Sequence, residues 1–544
     1  MNQEQNITSR NKTFSILLLI ILIFSYIILM LFHLDYSYID FGDGNYLYIS
    51  SRIADGLRLY RDIVPPQPPC HLFLGAFLIK IGRILGNPLF TVRVFSILLH
   101  AAIAILIFIT SINILRHTRC QSYHLIAFFS SLIYLFLPES FWWSIGYQSE
   151  SLVIILLLLS FYFFIRGTKY NLIISAIFSV FACFTNMTAV PYVGFNALFL
   201  IIKKRKLCLF YIVPLIVLGL LFLLIMHVYS EGNYINAIFF NQLQTYSKNF
   251  ITNGIARIVN EGKDVFTWEG AFIIFALLGI LGFIKHSEHH FAEYIGWYSL
   301  FSILSIVYVT KGGTVDYIFT LAEPYVAIFS AMFLYNTFKK HIVSADKMSA
   351  LQEKSTDNIC PITKKLLSIF VFILILIISS FIGFFFIRNI LIYREYLENP
   401  ESKVLYIKEN FIDKYSKPGD TILAPPYYVF LSNRLQIEEF SEHYIYTVKI
   451  RNEIVSGQEA DGLKLLRKIL SAIYHKQLPL IILNLNRGGI GYILVPDKLV
   501  KELSPSSNPP ETQYLKDFIE QYYKPLLNTP MQCLNEYLQI YVPQ

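Results

Sequence analysis

Charge is scarce in this sequence. Asp, Glu, Lys and Arg together make up 15% of 544 residues, against about 25% in soluble globular domains. That shortage excludes an ordinary water-soluble globule, and a 55% share of hydrophobic residues points to a chain whose solvent is largely lipid. Cysteine is sparse as well. The six residues, Cys70, Cys120, Cys183, Cys208, Cys360 and Cys533, show no Cys-x-x-Cys spacing, so nothing marks a thiolate metal site or a redox pair. There is no internal repeat and no low-complexity linker. No small-x-small cleavage site follows the first apolar run, which is longer than the core of a signal peptide, so that run reads as a retained span.

What is present is a series of membrane-length apolar segments. A spanning helix needs roughly 20 apolar residues. Eleven spans are expected: Phe14–Leu34, Pro88–Leu115, Tyr123–Leu137, Ser149–Ile165, Asn171–Phe184, Ala189–Ile202, Leu207–Tyr229, Gly270–Ile284, Tyr294–Val309, Tyr317–Phe338 and Leu366–Ile387. Leu72–Leu85 is short and carries Lys80 and Arg83, which predicts a helix lying in the interface.

Orientation follows from where Lys and Arg collect. Arg10 and Lys12, Arg116 and Arg119, Arg166 and Lys169, Lys203–Lys206, Lys285, and Lys339 with Lys340, Lys364 and Lys365 all fall on one side if there are eleven spans. That side is expected to be the cytoplasm, with the N-terminus in it and the C-terminal region outside it. The net charge of +8 is largely this retention signal and gives no reason to expect a nucleic-acid partner. In a prokaryote the membrane would be the plasma (inner) membrane.

From about Asn399 the composition changes. Lys403–Tyr415 reads as a helix, Thr421–Ala424 as a strand, Glu453–Lys476 as a helix, Leu480–Leu485 and Tyr492–Val495 as strands, and Gln513–Tyr523 as a helix. The expected fold class is therefore an α-helical polytopic membrane protein with about 11 transmembrane helices. A first outer loop of interfacial helices covers residues 35–87, residues 1–390 form the membrane domain, and residues 399–544 form a small extracytoplasmic α/β domain.

Polar residues of interest gather on the outer side. Asp40, Asp43 and Asp62 lie just after the first span, and carboxylates at a membrane surface are costly unless they face water, a cation or a reacting group. Asp40 and Asp43 share a face if the turn is helical. Asp43 alternatively reads as the N-cap of a helix from Asn45 to Leu57. Asp62, ahead of Pro65-Pro66-Gln67-Pro68-Pro69, alternatively reads as an incidental acid in a rigid loop. Glu150 opens the fourth span beside Trp142, Trp143 and Tyr147; it reads as a cavity-facing acid or as an interfacial one. Arg93 and Lys311, near outer ends of spans, suit phosphate or ordinary headgroups. His286, His289 and His290 read as a solvated cytoplasmic loop.

Taken together, Asp43-Gly44-Asn45-Tyr46, Gly56-Leu57-Arg58-Leu59-Tyr60-Arg61-Asp62, Pro68-Pro69, Gly86 and Arg93 resemble the polytopic GT-C-class glycosyltransferases that use lipid-linked sugars, in the style of the protein O-mannosyltransferase and aminoarabinose transferase group. The resemblance covers about Asp40 to Ser96. It implies transfer from a polyprenyl-phosphate-linked sugar to an acceptor glycan, lipid or protein at the outer face, among membrane lipids. It also implies that Asp43 is the catalytic acid of the first loop. Asp40 stands in for a second carboxylate, since the family's Asp-Glu pair is Asp43-Gly44 here. Arg93 and Lys311 are implied to hold phosphate, Asp62 to orient the acceptor or a divalent cation, and Tyr46 and Tyr60 to offer ring faces. The alternative is a transporter or flippase of a lipid-linked glycan, which the missing half-to-half repeat disfavours.

Overall fold

The structure is a computed structural model that describes residues 2–32, 34, 41–117, 122–240, 250–305, 316–352, 404–437, 450–451, 453–454, 456, 461–485, 490–503, 513–533 and 536–544. Among the described residues, helices overlap the first ten expected spans, which does not by itself make each a crossing: α1 (Asn2–Phe32), α4 (Pro88–Leu115), α5 (Tyr123–Phe136), α7 (Ser149–Arg166), α8 (Lys169–Cys183), α9 (Val190–Lys203), α10 (Arg205–Tyr229), and the helices Phe250–His286, Ala292–Ile303 and Glu323–Gln352. The eleventh, Leu366–Ile387, lies outside the described residues. Among the described residues, five helices are long and apolar enough to cross a membrane. On α10 the exposed side chains include Leu209, Ile216, Leu220, Leu224 and Val228, an apolar face of the kind that lipid covers. The protein is an integral, multi-pass membrane protein.

The short pair α8 and α9 is punctuated by local chemistry. Gly167 ends α7 with φ 67°, Thr168 caps α8 by accepting from the Asn171 N–H at 3.3 Å, and Asn186 turns the chain by accepting from the Thr188 N–H at 3.1 Å. One expectation is corrected on the opposite side. His289 is buried, not solvated, with its ring 4.8 Å from His117 and 4.7 Å from His290.

Between α1 and α4 the chain forms a helical hairpin, α2 (Phe41–Ala54) and α3 (Pro69–Ile84). Pro69 opens α3, where its missing N–H is unneeded. At the other end, Arg83 meets Asp55 at 2.7 Å, Arg52 meets Asp55 at 2.8 Å, and Arg83 donates to Ser51 at 2.9 Å. The connecting turn is tight: Tyr60 takes φ 66° and its N–H donates to the Ile63 carbonyl at 2.7 Å.

The C-terminal region is α/β. Its main sheet has β8 (Glu536–Pro543) at the centre, antiparallel to β3 (Ile481–Asn484), β6 (Tyr523–Pro525) and β7 (Met531–Cys533). Residues 513–523, expected as one helix, instead begin as β5 (Gln513–Tyr514), paired to β4 (Leu494–Val495), and become helical only over Leu515–Glu520. This region has its own apolar core around Leu466, Ile469, Ile481 and Phe518. A second apolar cluster is shared: Tyr48, Leu59, Leu72 and Ile79 of the hairpin pack in one group with Ile412, Val429, Leu480 and Leu538.

Candidate active site

Helix α2 starts at Phe41 rather than at Asn45, so Asp43 lies inside the first turn and is not the residue ahead of it. The positive end of the helix dipole favours a carboxylate there. Asp43 is 1% exposed. Its Oδ1 accepts the Tyr147 backbone N–H at 2.6 Å, and its Oδ2 stands 3.6 Å from Nη2 of Arg93 on α4. Arg93 is itself 3% exposed, and its Nη1 donates to the Leu34 carbonyl at 2.7 Å. Burial pushes the Asp43 pKa up, and Arg93 and the Tyr147 N–H pull it back only in part.

Tyr147 belongs to the loop between α6 (Pro138–Trp143) and α7. Its ring stacks on His71 at 4.0 Å and 20°, and its hydroxyl donates to the His71 carbonyl at 2.7 Å. Gly75 makes the approach possible: a Cβ there would lie 2.8 Å from Tyr147 Cε1 and 2.4 Å from Ser50 Oγ. On the other side, Tyr46 meets the His71 ring edge-on at 5.0 Å. The C-terminal region reaches α2 at the residue after Asp43. A Cβ on Gly44 would lie 2.6 Å from Cβ of Tyr427, in the helix Pro426–Ser432. The Gln436 N–H also donates to the Tyr48 hydroxyl at 2.9 Å. A helix of the C-terminal region therefore packs directly over Gly44 and leaves no room for a side chain there.

The other expected site residues are dispersed. Asp62 accepts from the Arg58 N–H at 2.8 Å and pairs with Arg61 at 2.7 Å. Arg58 and Arg61 also reach Glu231 at 3.3 and 3.2 Å. The hydrogen bonds from Arg61 and the Arg58 N–H hold the Asp62 carboxyl below its usual range. Tyr60 is fully buried, packs edge-on to Tyr234 and donates its hydroxyl to the Gln67 carbonyl at 2.6 Å. In this conformation its ring is an internal pin. Glu150 is buried and accepts from Asn186 Nδ2 at 2.9 Å and from Ser149 Oγ at 3.1 Å. Asp40 and Lys311 lie outside the described residues. Among the described residues, no three His, Cys, Asp or Glu side chains converge as metal ligands.

Sequence reasoning overlooked three features. His71 carried no motif. Tyr427 arrives from nearly the other end of the chain. Glu139, Glu269 and Glu323 form a buried carboxylate group; Glu323, inside the expected span Tyr317–Phe338, and Glu269, directly before the expected span Gly270–Ile284, were detectable as acids at apolar segments. Glu269 accepts from the Glu139 N–H at 3.1 Å and Glu323 from the Ser140 N–H at 2.9 Å. They thereby satisfy donors at the start of α6 that have no partner within the helix.

No protein-family model matches the chain, and no curated protein matches it by sequence. Solved structures do match. ArnT from Cupriavidus metallidurans, in the form bound to undecaprenyl phosphate, superposes with a TM-score of 0.57 at 12% identity over 97% of each chain. Its apo form gives the same values. The archaeal oligosaccharyltransferase AglB from Archaeoglobus fulgidus, in complex with an inhibitory peptide and a dolichol-phosphate, matches with a TM-score of 0.50 at 11% identity, over 94% of this chain and 72% of its own. At 97% coverage the likeness takes in the outer hairpin and the C-terminal α/β region: the chain shares the fold of these proteins.

Proposed function

We propose that this protein is a membrane glycosyltransferase that moves a sugar from a polyprenyl-phosphate donor to an acceptor glycan, lipid or protein at the extracytoplasmic face, with Asp43 as the base. The observation that carries the reading is the buried Asp43–Arg93 pair at the head of the outer hairpin, in a fold shared with a protein solved with undecaprenyl phosphate.

The chemistry suits these groups. The acceptor hydroxyl oxygen bonds to the anomeric carbon as the bond from that carbon to the phosphate oxygen breaks. Polyprenyl phosphate leaves with the electron pair, and the hydroxyl proton passes to Asp43. A carboxylate raised in pKa by burial is a better proton acceptor than one in water. Arg93 offsets part of the cost of ionising it, and a donor phosphate arriving beside Asp43 meets the same guanidinium. Lys311 supplies a second cation in this reading, and Asp40 the second carboxylate.

The test is direct. Purified protein is incubated with a panel of polyprenyl-phosphate sugars, and released polyprenyl phosphate is measured. At least one donor is expected to be turned over. Release from none, with counterflow of a glycolipid in vesicles, would replace this reading by transport.

A further inference from the structure

His71 is a buried titratable side chain one contact removed from Asp43, packed on the Tyr147 that hydrogen-bonds it, and the transfer reaction has no use for it. It is 2% exposed, and among the described residues neither ring nitrogen has a partner at full hydrogen-bond geometry; the polar group beside the ring is the Tyr147 backbone. Burying an imidazole that way is unfavourable, so its place calls for a reason. Tyr147 supplies one. This tyrosine is gripped at both ends by His71, ring on ring and hydroxyl on carbonyl, while its N–H donates to Asp43. Tyr46, one helical turn after Asp43 on α2, closes the far side of the imidazole.

We propose that His71 is a positioning residue for Asp43: it clamps Tyr147 so that the Tyr147 N–H stays on the carboxylate. The functional weight of the clamp rests on Asp43 being the base. The clamp's existence does not, and the two are separable by experiment.

Among the described residues, the groups around the pair are few. Arg93 faces Asp43 from α4, and Tyr46 from α2 and Tyr147 from the loop before α7 face His71. Tyr427, from the C-terminal region, meets α2 at Gly44. Burial pushes the Tyr147 hydroxyl up and His71 down to about 3. The band that is lost in Asp43→Asn therefore reports Asp43 as the pH is changed.

The readout is the infrared band of the protonated Asp43 carboxyl, identified as the C=O stretch missing in Asp43→Asn and followed against pH in detergent. His71→Ala is expected to raise the apparent pKa by about one unit, because one hydrogen bond to the charged form is weakened. His71→Phe, which keeps the flat face, is expected to return it to the wild-type value. A wild-type titration in His71→Ala overturns the proposal, as does a Phe variant that titrates like Ala. Should His71→Ala fail to fold, Tyr147→Phe removes only the hydroxyl clamp. It is expected to shift the band in the same direction by less, and no shift sinks the idea. If the band moves but Asp43→Asn remains active in the donor assay, the clamp stands and the base assignment falls.

Discussion

Asp43 and Asp62 share one outer loop, and each sits beside an arginine. Asp43 and Arg93 have side chains 1% and 4% exposed and stand 3.6 Å apart. Asp62 and Arg61 have side chains 26% and 34% exposed and touch at 2.7 Å. The looser pair is the consequential one. Removing a carboxylate from water raises its pKa, whereas Asp62 stays solvated, collects donors from Arg61 and the Arg58 N–H, and is driven the other way. A carboxylate already satisfied by short hydrogen bonds in water has little affinity left for a proton. The shorter, better-made ion pair thus marks a structural tie between the hairpin and Glu231, and the longer buried one marks the reactive candidate.

The largest test of this contrast removes charge from Asp43 alone. Asp43→Asn keeps size and hydrogen-bonding shape. It is expected to cut turnover by roughly 10²–10⁴-fold, the usual contribution of general acid–base catalysis, with expression and monodispersity unchanged. Near-normal turnover would return Asp43 to the status of a structural acid, with Asp40 next in line.

Removing the partner sharpens the same contrast. An opposite charge within about 4–6 Å lowers a carboxyl pKa by roughly 1–3 units, so Arg93→Gln raises that of Asp43 further. The sign fixes the outcome. A higher pKa leaves less ionised base at neutral pH, so the rate at pH 7 falls by roughly tenfold or more and recovers as the pH is raised. A pH–rate profile with the same acid limb as wild type would show that Arg93 does not act on Asp43. Arg93→Gln also unties the Leu34 carbonyl, so a lower melting temperature accompanies the shift.

How much of this was legible beforehand follows the range of the interactions. The hairpin was readable because its signals are local: a proline at the start of α3, Gly56 in the turn, and Lys80 and Arg83 marking an interfacial helix. Asp43 was readable through its neighbours in sequence. What surrounds it was not. Tyr147 and Tyr427 reach α2 from segments far along the chain, and no periodicity or spacing encodes that meeting. The room for them was written as Gly75 and Gly44, yet a glycine in a sequence does not say whose atoms will fill the space. Burial was equally illegible: the sequence places Asp43, Asp62 and Tyr60 in one outer loop and does not say that Asp43 and Tyr60 are enclosed while Asp62 is partly exposed. In the C-terminal region β8, at the centre of the main sheet, was unread, as was the start of 513–523 as a strand. Short strands owe their state to partners they meet only on folding.

The smallest effect belongs to Asp62→Asn, and its smallness is the point. The side chain is partly solvated, its partner Arg61 retains Glu231 at 3.2 Å, and exposed ion pairs contribute about 0–1 kcal/mol. Asparagine also keeps an oxygen for the Arg58 N–H. Turnover at saturating donor is therefore expected to stay within about threefold of wild type, on the scale of such a loss. The sign of the pH effect on stability is fixed too. A depressed carboxyl stabilises the fold above its unfolded pKa and loses that contribution as the pH falls through the folded value. The variant should therefore differ from wild type slightly near neutrality and not at all in strong acid. Thermal melts across that range, run beside the donor assay, test both halves. A loss of turnover approaching that of Asp43→Asn would mean that the exposed acid meets substrate after all, and the two carboxylates would have to be treated as one site.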